Sequence, residues 1–319
     1  MGIKEILQAN RARAKFVEAG NAIEDFREQM VPDPLPPEKA INRKSDEHDQ
    51  CFIIIPDIHS YNRDKKAFDL CMKSLPILNK KYNVTKFVQL GDALECGEAS
   101  SHPTTNVFER PLSYVEELNW AENDFWKPAM KALPNANFYA LMGNHEDRWN
   151  KKIAGDMKRS GYRQEYAIDM YNSWMPFDLY KEWGIHVVPH SNEDPEECIL
   201  ELIPNKLLCL HGWSHSKHSA DTHLRAVQGN YSIIHAHTHR SQHHSTRNPI
   251  KKNTVSSWSF GSLAKVAMMW HNGKPTEHTL GFGMVMVYDD IFSIIEIPIH
   301  ITANDGRKLI LPDGTVLTA

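Results

Sequence analysis

The 319-residue chain carries 36 Lys and Arg against 40 Asp and Glu, a formal net charge of −4, and is long enough for one large domain or two small ones. That balance excludes a protein that coats nucleic acid through overall positive charge, while leaving room for a local basic groove. Five cysteines, with no CxxC pair among them, exclude a disulfide framework and a cysteine-held zinc, and point to a reducing cytosol as the expected location.

The opening MGIKEILQANRARAKF interleaves charge with apolar residues, unlike a secretory leader. Gly2 follows Met1, but Ile6 stands where myristoylation wants Ser or Thr. Residues 3–30 have helical spacing, with Ile6, Leu7, Phe16, Val17, Ile23, Phe26 and Met30 as the apolar positions. VPDPLPPEKAINRKSDEHDQ follows and reads as an extended linker. The expected boundaries are 1–48 for this extension and 49–319 for the main domain. The helix either packs on its own domain or meets a partner or second copy, which would make an oligomer.

From residue 51 the texture changes. CFIIIPD predicts a buried strand ending at Pro56-Asp57, followed by a helix over about 65–80. VTKFVQLGD predicts a second strand, ending at Gly91-Asp92. LSYVEELNWAENDFWKPAMKAL predicts a helix, and NFYALMGNHE a third strand, ending at Gly143-Asn144-His145. KLLCLHG predicts a fourth, ending at His211-Gly212, and NYSIIHAHTH a fifth, running into His237 and His239. Beyond residue 253 the chain reads as β: TVSSWSF, GMVMVYDD, FSIIEIPI, and RKLILPDGTVL with a turn at Asp313-Gly314. FSIIEIPIHI is too short for a membrane span and contains Glu296, so no membrane is expected.

Each of five strands thus ends on oxygen or imidazole groups suited to a divalent metal: Asp57 and His59, Asp92, Asn144 with His145, His211, and His237 with His239. They are too many for one ion and about enough for two. In order they read DIH, GD, GNHE, HG and HTH, and this series resembles the calcineurin-like metallophosphoesterase superfamily over about residues 51–240. The resemblance implies an α/β fold, an α/β/β/α sandwich of two mixed sheets flanked by helices, here with an N-terminal helical extension.

Carried over by position, the resemblance implies that Asp57, His59 and His239 hold one ion, that Asn144, His211 and His237 hold a second, and that Asp92 bridges both. A mixed imidazole and carboxylate set suits manganese first, with iron, zinc, nickel or cobalt as alternatives, better than magnesium. A shared carboxylate spaces two ions by about 3.5–4 Å, and a bridging hydroxide becomes the expected nucleophile. His145 would not be a ligand; it would protonate the leaving oxygen or steady the charge there. The chain departs from the family pattern at Ala236, where glycine is usual, and alanine keeps the turn only if its φ is negative.

Further positions have two readings each. Arg148 is either a phosphate clamp or a surface partner of Glu146 or Asp147. Among His215, His218 and His223 one can line the substrate rim, with a solvated loop as the plainer reading. His235, placed two residues before His237 on the same strand face, reads as a core or supporting histidine, and His243 and His244 as surface or rim. Trp120 and Trp126 either stack a base above the site or pack in the core.

Protein phosphatases of the superfamily carry GDxVDRG and RGNHE; here Cys96 and Met142 stand where their two arginines would be, which counts against that activity. Two basic stretches, 151–163 and 239–252, start at metal-site loops and either line the mouth or form ordinary solvated charge. The expected activity is a dinuclear metal phosphodiesterase acting on nucleic-acid or nucleotide esters. A phosphomonoesterase or nucleotide pyrophosphohydrolase is the rival reading, and a non-catalytic scaffold the remote one.

Overall fold

Strand β1 (Gln50–Ile55) is buried from its second residue onward because it has a core on each face. Cys51, Ile53 and Ile55 point into one apolar cluster and Phe52 and Ile54 into another, which is why its sequence is continuously apolar rather than alternating. The computed structural model describes residues 50–101, 112–160, 176–190, 195–227, 229–248, 252–267, 275–289 and 291–319. The expected helix at 3–30 and the linker before β1 lie outside the described residues.

Helix α1 (Lys65–Tyr82) begins where the Asp64 side chain accepts from the Ala67 amide and ends at Asn83, whose φ is 48°. Strand β2 (Val84–Gln89) returns parallel to β1. Helix α2 (Tyr114–Trp120) opens with a reciprocal Ser113–Glu116 capping box. It runs through a π-wound segment, Ala121–Trp126, into α3 (Lys127–Ala132). The wider turn sends the neighbours Phe125 and Trp126 into the core together. Strand β3 (Asn137–Leu141) and helix α4 (Arg148–Ser160) follow, then α5 (Phe177–Glu182) and β4 (Ile185–Val188). The second sheet begins with β5 (Leu200–Ile203) and β6 (Leu207–Leu210), and continues through α6 (Ser219–Ala226), β7 (Ser232–His235), β8 (Ser241–Asn248) and β9 (Asn253–Phe260). Four strands close the first sheet: β10 (Gly281–Tyr288), β11 (Ile291–Ile301), β12 (Arg307–Ile310) and β13 (Val316–Thr318).

The sheets have eight strands, in the order β13-β12-β11-β10-β1-β2-β3-β4, and five, in the order β5-β6-β7-β9-β8. Both mix parallel and antiparallel neighbours. Between them lies a core of Phe52, Ile54, Val88, Leu141, Ile234 and Phe260 among others. Outside the larger sheet, α1 to α3 bury Phe68, Leu75, Phe125 and Trp126 against Phe87 and Phe282. Helix α6 covers the outer face of the smaller sheet. The layers are therefore helix, sheet, sheet, helix, as the family resemblance implied.

Three differences are instructive. The fifth strand stops at His235, so His237 and His239 lie on a loop and do not share a strand face with His235. SQHHSTRN forms β8, an edge strand paired only with β9; its register comes from the partner, not from any alternation of its own. The short β4 and β5 lacked a long enough apolar run to be recognised. The C-terminal hairpin does turn at Asp313-Gly314, with Gly314 at φ 87° and its amide on the Leu311 carbonyl. No helix among the described residues is long and apolar enough to cross a membrane.

Candidate metal centre

Strands β1, β2 and β3 are parallel, as are β6 and β7, and parallel strands deliver their C-terminal ends to one edge. Asp57 and His59, Asp92, Asn144 and His145, His211, and His237 and His239 follow those ends. The loops are tied to one another. The Ile58 and His59 amides donate to the Asp92 carbonyl at 3.0 and 2.9 Å, the His237 amide to Asp57 Oδ2 at 3.0 Å, and the His145 amide to Asp92 Oδ1 at 2.9 Å. His59, Asp92, His237 and His239 all have positive φ, a costly conformation for such residues that clusters at functional sites. Ala236 is not among the positive-φ residues, so the turn survives the loss of the usual glycine. At Gly143, by contrast, a Cβ would overlap Asp92 Oδ1.

Three sets of ligand-type atoms lie close enough to share an ion: Asp57, His59 and His239; Asp92, His211 and His237; and His59, Glu95 and His145, of which the first two match the expected ligands. In the first, His239 Nε2 lies 2.9 Å from His59 Nε2 and 3.5 Å from Asp57 Oδ1. In the second, His211 Nε2 lies 3.4 Å from Asp92 Oδ2, 3.0 Å from Asn144 Oδ1 and 3.2 Å from His237 Nδ1. Ligands about 2.0–2.2 Å from one transition metal stand roughly 3–3.5 Å apart when near neighbours, so these edges fit two coordination spheres. Asp92 Oδ2 is also 3.9 Å from His59 Nε2, which places it between the sets. Asp57 Oδ1 is buried and accepts no hydrogen bond, although burial alone penalises a bare carboxylate and the neighbouring His239 and His211 hold this one ionised. An unpaired, charged oxygen aimed at two imidazole nitrogens suits a cation.

The supporting carboxylates were missed by sequence reasoning. Glu95 Oε2 is 3.0 Å from His59 Nδ1 and its Oε1 is 3.1 Å from His145 Nδ1. It holds a proton on Nδ1 of each ring, so that Nε2 is the His59 atom turned toward the ligand set and the His145 atom that meets Arg148. Its signal was the acid three residues after Asp92 in GDALECG. Glu146 accepts from the amides of Asp92 and Gly143 at 3.0 and 2.8 Å and from that of Leu94 at 2.9 Å, clamping the second and third motif loops together. Glu117 accepts from Ser60 Oγ and the Glu95 amide, each at 2.6 Å. It sits on the buried face of α2 with Tyr114 and Trp120, where a lone carboxylate on an apolar stripe is the legible clue.

Arg148 does not pair with Glu146 or Asp147 as the surface reading expected. Its guanidinium donates to Glu95 O at 2.6 Å, Glu95 Oε1 at 3.1 Å and His145 Nε2 at 2.9 Å. It is not among the residues lining the cavity, because Glu95 draws it inward. The cavity over the centre has a volume of about 600 Å³ and is lined by His59, Asp92, Asn144, His145, His237 and His239, together with His215, Arg240 and the 275–278 loop. His215 Nε2 lies 3.0 Å from His237 Nε2. His235 is fully buried and packs on His223, with ring centroids 4.3 Å apart, outside both ligand sets. His223 accepts from the Trp213 amide and so supports the turn after His211. Trp120 and Trp126 are core residues. Of the first basic stretch, residues 161–163 lie outside the described residues and none of the rest reaches the cavity; Lys151 pairs with Asp147 at 3.0 Å. Of the second, His239 and Arg240 line it, and 249–251 are not described.

The sequence profile of the calcineurin-like phosphoesterase family matches residues 52–248, more than half of the chain. A search of curated proteins gave no match. Solved structures similar to this one include Vps29 of Chaetomium thermophilum, 9% identical with a TM-score of 0.41, and Vacuolar Protein Sorting 29 of Cryptosporidium parvum, 11% identical with a TM-score of 0.38. Each comparison covers 86% of this chain and 97% of the other.

Proposed function

The chain belongs to the calcineurin-like phosphoesterase family, and from that premise we propose that it is a dinuclear metal-dependent phosphodiesterase acting on nucleic-acid or nucleotide esters. Asp57, His59 and His239 would hold one ion and Asn144, His211 and His237 the other, with Asp92 between them. Bound divalent ions would supply Lewis acidity toward the phosphoryl oxygens and an activated water. His145 stands beside the centre, with Nε2 3.8 Å from Asp92 Oδ2, where it serves the leaving oxygen.

The observation that favours a diester is the shortage of free cations among the described residues at the cavity. A phosphomonoester dianion is usually gripped by arginines. Here Cys96 and Met142 are buried apolar residues. Arg148 is held by Glu95, and Arg240 is held by Ser216 O at 2.6 Å and Glu277 at 3.3 Å. A singly charged diester asks for less compensation. The test is hydrolysis of bis-p-nitrophenyl phosphate against p-nitrophenyl phosphate after Mn²⁺ is restored to metal-stripped protein. The diester is expected to be preferred; monoester preference sinks the assignment.

Metal uptake should release protons. Burial alone would lower the pKa of His59, but Glu95, Asp92 and Asp57 raise it to about 9. Burial likewise opposes protonation of His211, while Asp92, Asp57 and Glu146 raise it to about 10. Both values lie above the ordinary 6.5, so without metal these rings are charged at neutral pH. Their protonation stabilises the metal-free fold fully below about pH 6.5, and that contribution fades as pH rises through 9 to 10. An ion must displace those protons. Titration calorimetry at pH 7.5 in buffers of different ionisation enthalpy should give release of about two protons and an affinity that rises with pH. A heat independent of buffer would refute this.

A further inference from the structure

A second groove, of about 360 Å³, adjoins the cavity over the metal centre, and the two share Arg240 and Glu277. Its other walls include Lys217 and His218 from the loop before α6, and His243 and His244 from β8. The floor is built rather than incidental. Gln242 accepts from Ser219 Oγ at 2.7 Å and donates to the Lys217 carbonyl at 2.8 Å, which fixes the loop to the strand. The stack of His243 on Trp258, with rings 9° from coplanar, fixes one wall.

With Arg225 behind Asp221 counted, the groove has one cation more than it has carboxylates. Its carboxylates are already answered: Asp221 by Arg225 at 2.9 Å and by His244 at 3.3 Å, and Glu277 by Arg240 at 3.3 Å. Lys217 is exposed and has no carboxylate partner among the described residues. The Lys217 ammonium is thus the cation without a carboxylate partner here, beside the His218 and His243 rings, and this surface begins where the metal cavity ends. That is the pattern of a track for a second phosphate of the same strand.

We infer that the Lys217–His243 groove is a backbone subsite that holds a neighbouring phosphate of a single-stranded nucleic acid while the scissile phosphate lies over the metal centre. It rests on the phosphodiesterase assignment and extends it from small esters to polymers. Arg240, common to both concavities and pinned by Ser216 and Glu277, marks the junction between the two phosphates.

The test measures binding and turnover separately. Binding is read by fluorescence anisotropy on the Mn²⁺-loaded protein, with a labelled phosphorothioate oligothymidylate of about eight nucleotides, a length a single-strand groove can span. Lys217→Ala is expected to reduce the slope of log K against log salt by about 0.7, the value for one phosphate on a single strand. Lys217→Glu is expected to weaken binding about tenfold or more, and His243→Ala to weaken it without the full slope change. Lys308→Ala, on strand β12 of the other sheet, serves as the comparison. Loss with Lys217→Glu but not with Lys308→Ala supports the subsite. Equal effects from the two lysines, or none from Lys217, overturn it. Turnover of bis-p-nitrophenyl phosphate is followed alongside. If the small diester is cleaved while Lys217 does not affect the oligonucleotide, the subsite fails and the phosphodiesterase assignment stands. If Lys217 governs binding but no diester is cleaved, the catalytic assignment alone fails.

Discussion

Asp92→Asn should lower turnover of bis-p-nitrophenyl phosphate by about 10³-fold or more and reduce bound metal from about two ions per chain to one or none. The reason lies in how both carboxylate oxygens are used. Oδ1 accepts from the His145 amide at 2.9 Å, and Oδ2 faces His211 Nε2 at 3.4 Å and His59 Nε2 at 3.9 Å. An asparagine keeping its oxygen on the His145 amide turns its NH₂ group toward both ligand sets, presenting donors where lone pairs are needed. The opposite flip sets that NH₂ against the amide. The fold should persist in either case, because the backbone of Asp92 remains anchored to Ile58, His59 and Glu146. Metal analysis by mass spectrometry, with circular dichroism as the fold control, decides it. Two ions retained with undiminished turnover would remove Asp92 from the centre.

His145→Ala should lower kcat by about 10²–10⁴-fold while leaving metal content unchanged. The ring lies outside both proposed ligand sets. Its Nδ1 faces Glu95, and its Nε2 accepts from Arg148 at 2.9 Å. In this resting arrangement the proton sits on Nδ1. To act as an acid the ring must carry a proton on Nε2 and release the guanidinium. The loss should therefore depend on the leaving group. It should be smaller for p-nitrophenolate, which needs little proton assistance, and larger for a nucleoside alkoxide. A loss that is equal for both esters would show that His145 steadies charge rather than donating a proton. Loss of metal would make it a ligand instead.

The sequence by itself determined the strand runs and what terminates them. CFIII, VTKFVQ, NFYAL, KLLCL and SIIH are locally apolar, and burial depends largely on a residue and its near neighbours, so each was legible as a strand with a polar residue at its end. The order of DIH, GD, GNHE, HG and HTH then carried the family. Tertiary structure alone decided what surrounds those residues. Glu95, Glu117 and Glu146 have, at most, a position in the sequence that hints at burial; nothing in it names their partners. They became buried clamps because amides and imidazoles from loops far apart in the chain converge on them. Arg148 is paired with Glu95 for the same reason, and the polar SQHHSTRN became a strand because β9 offered its edge. An apolar run needs only to leave water, and its own composition states that. A charge needs a particular partner at about 3 Å, and only the folded chain brings the partner there.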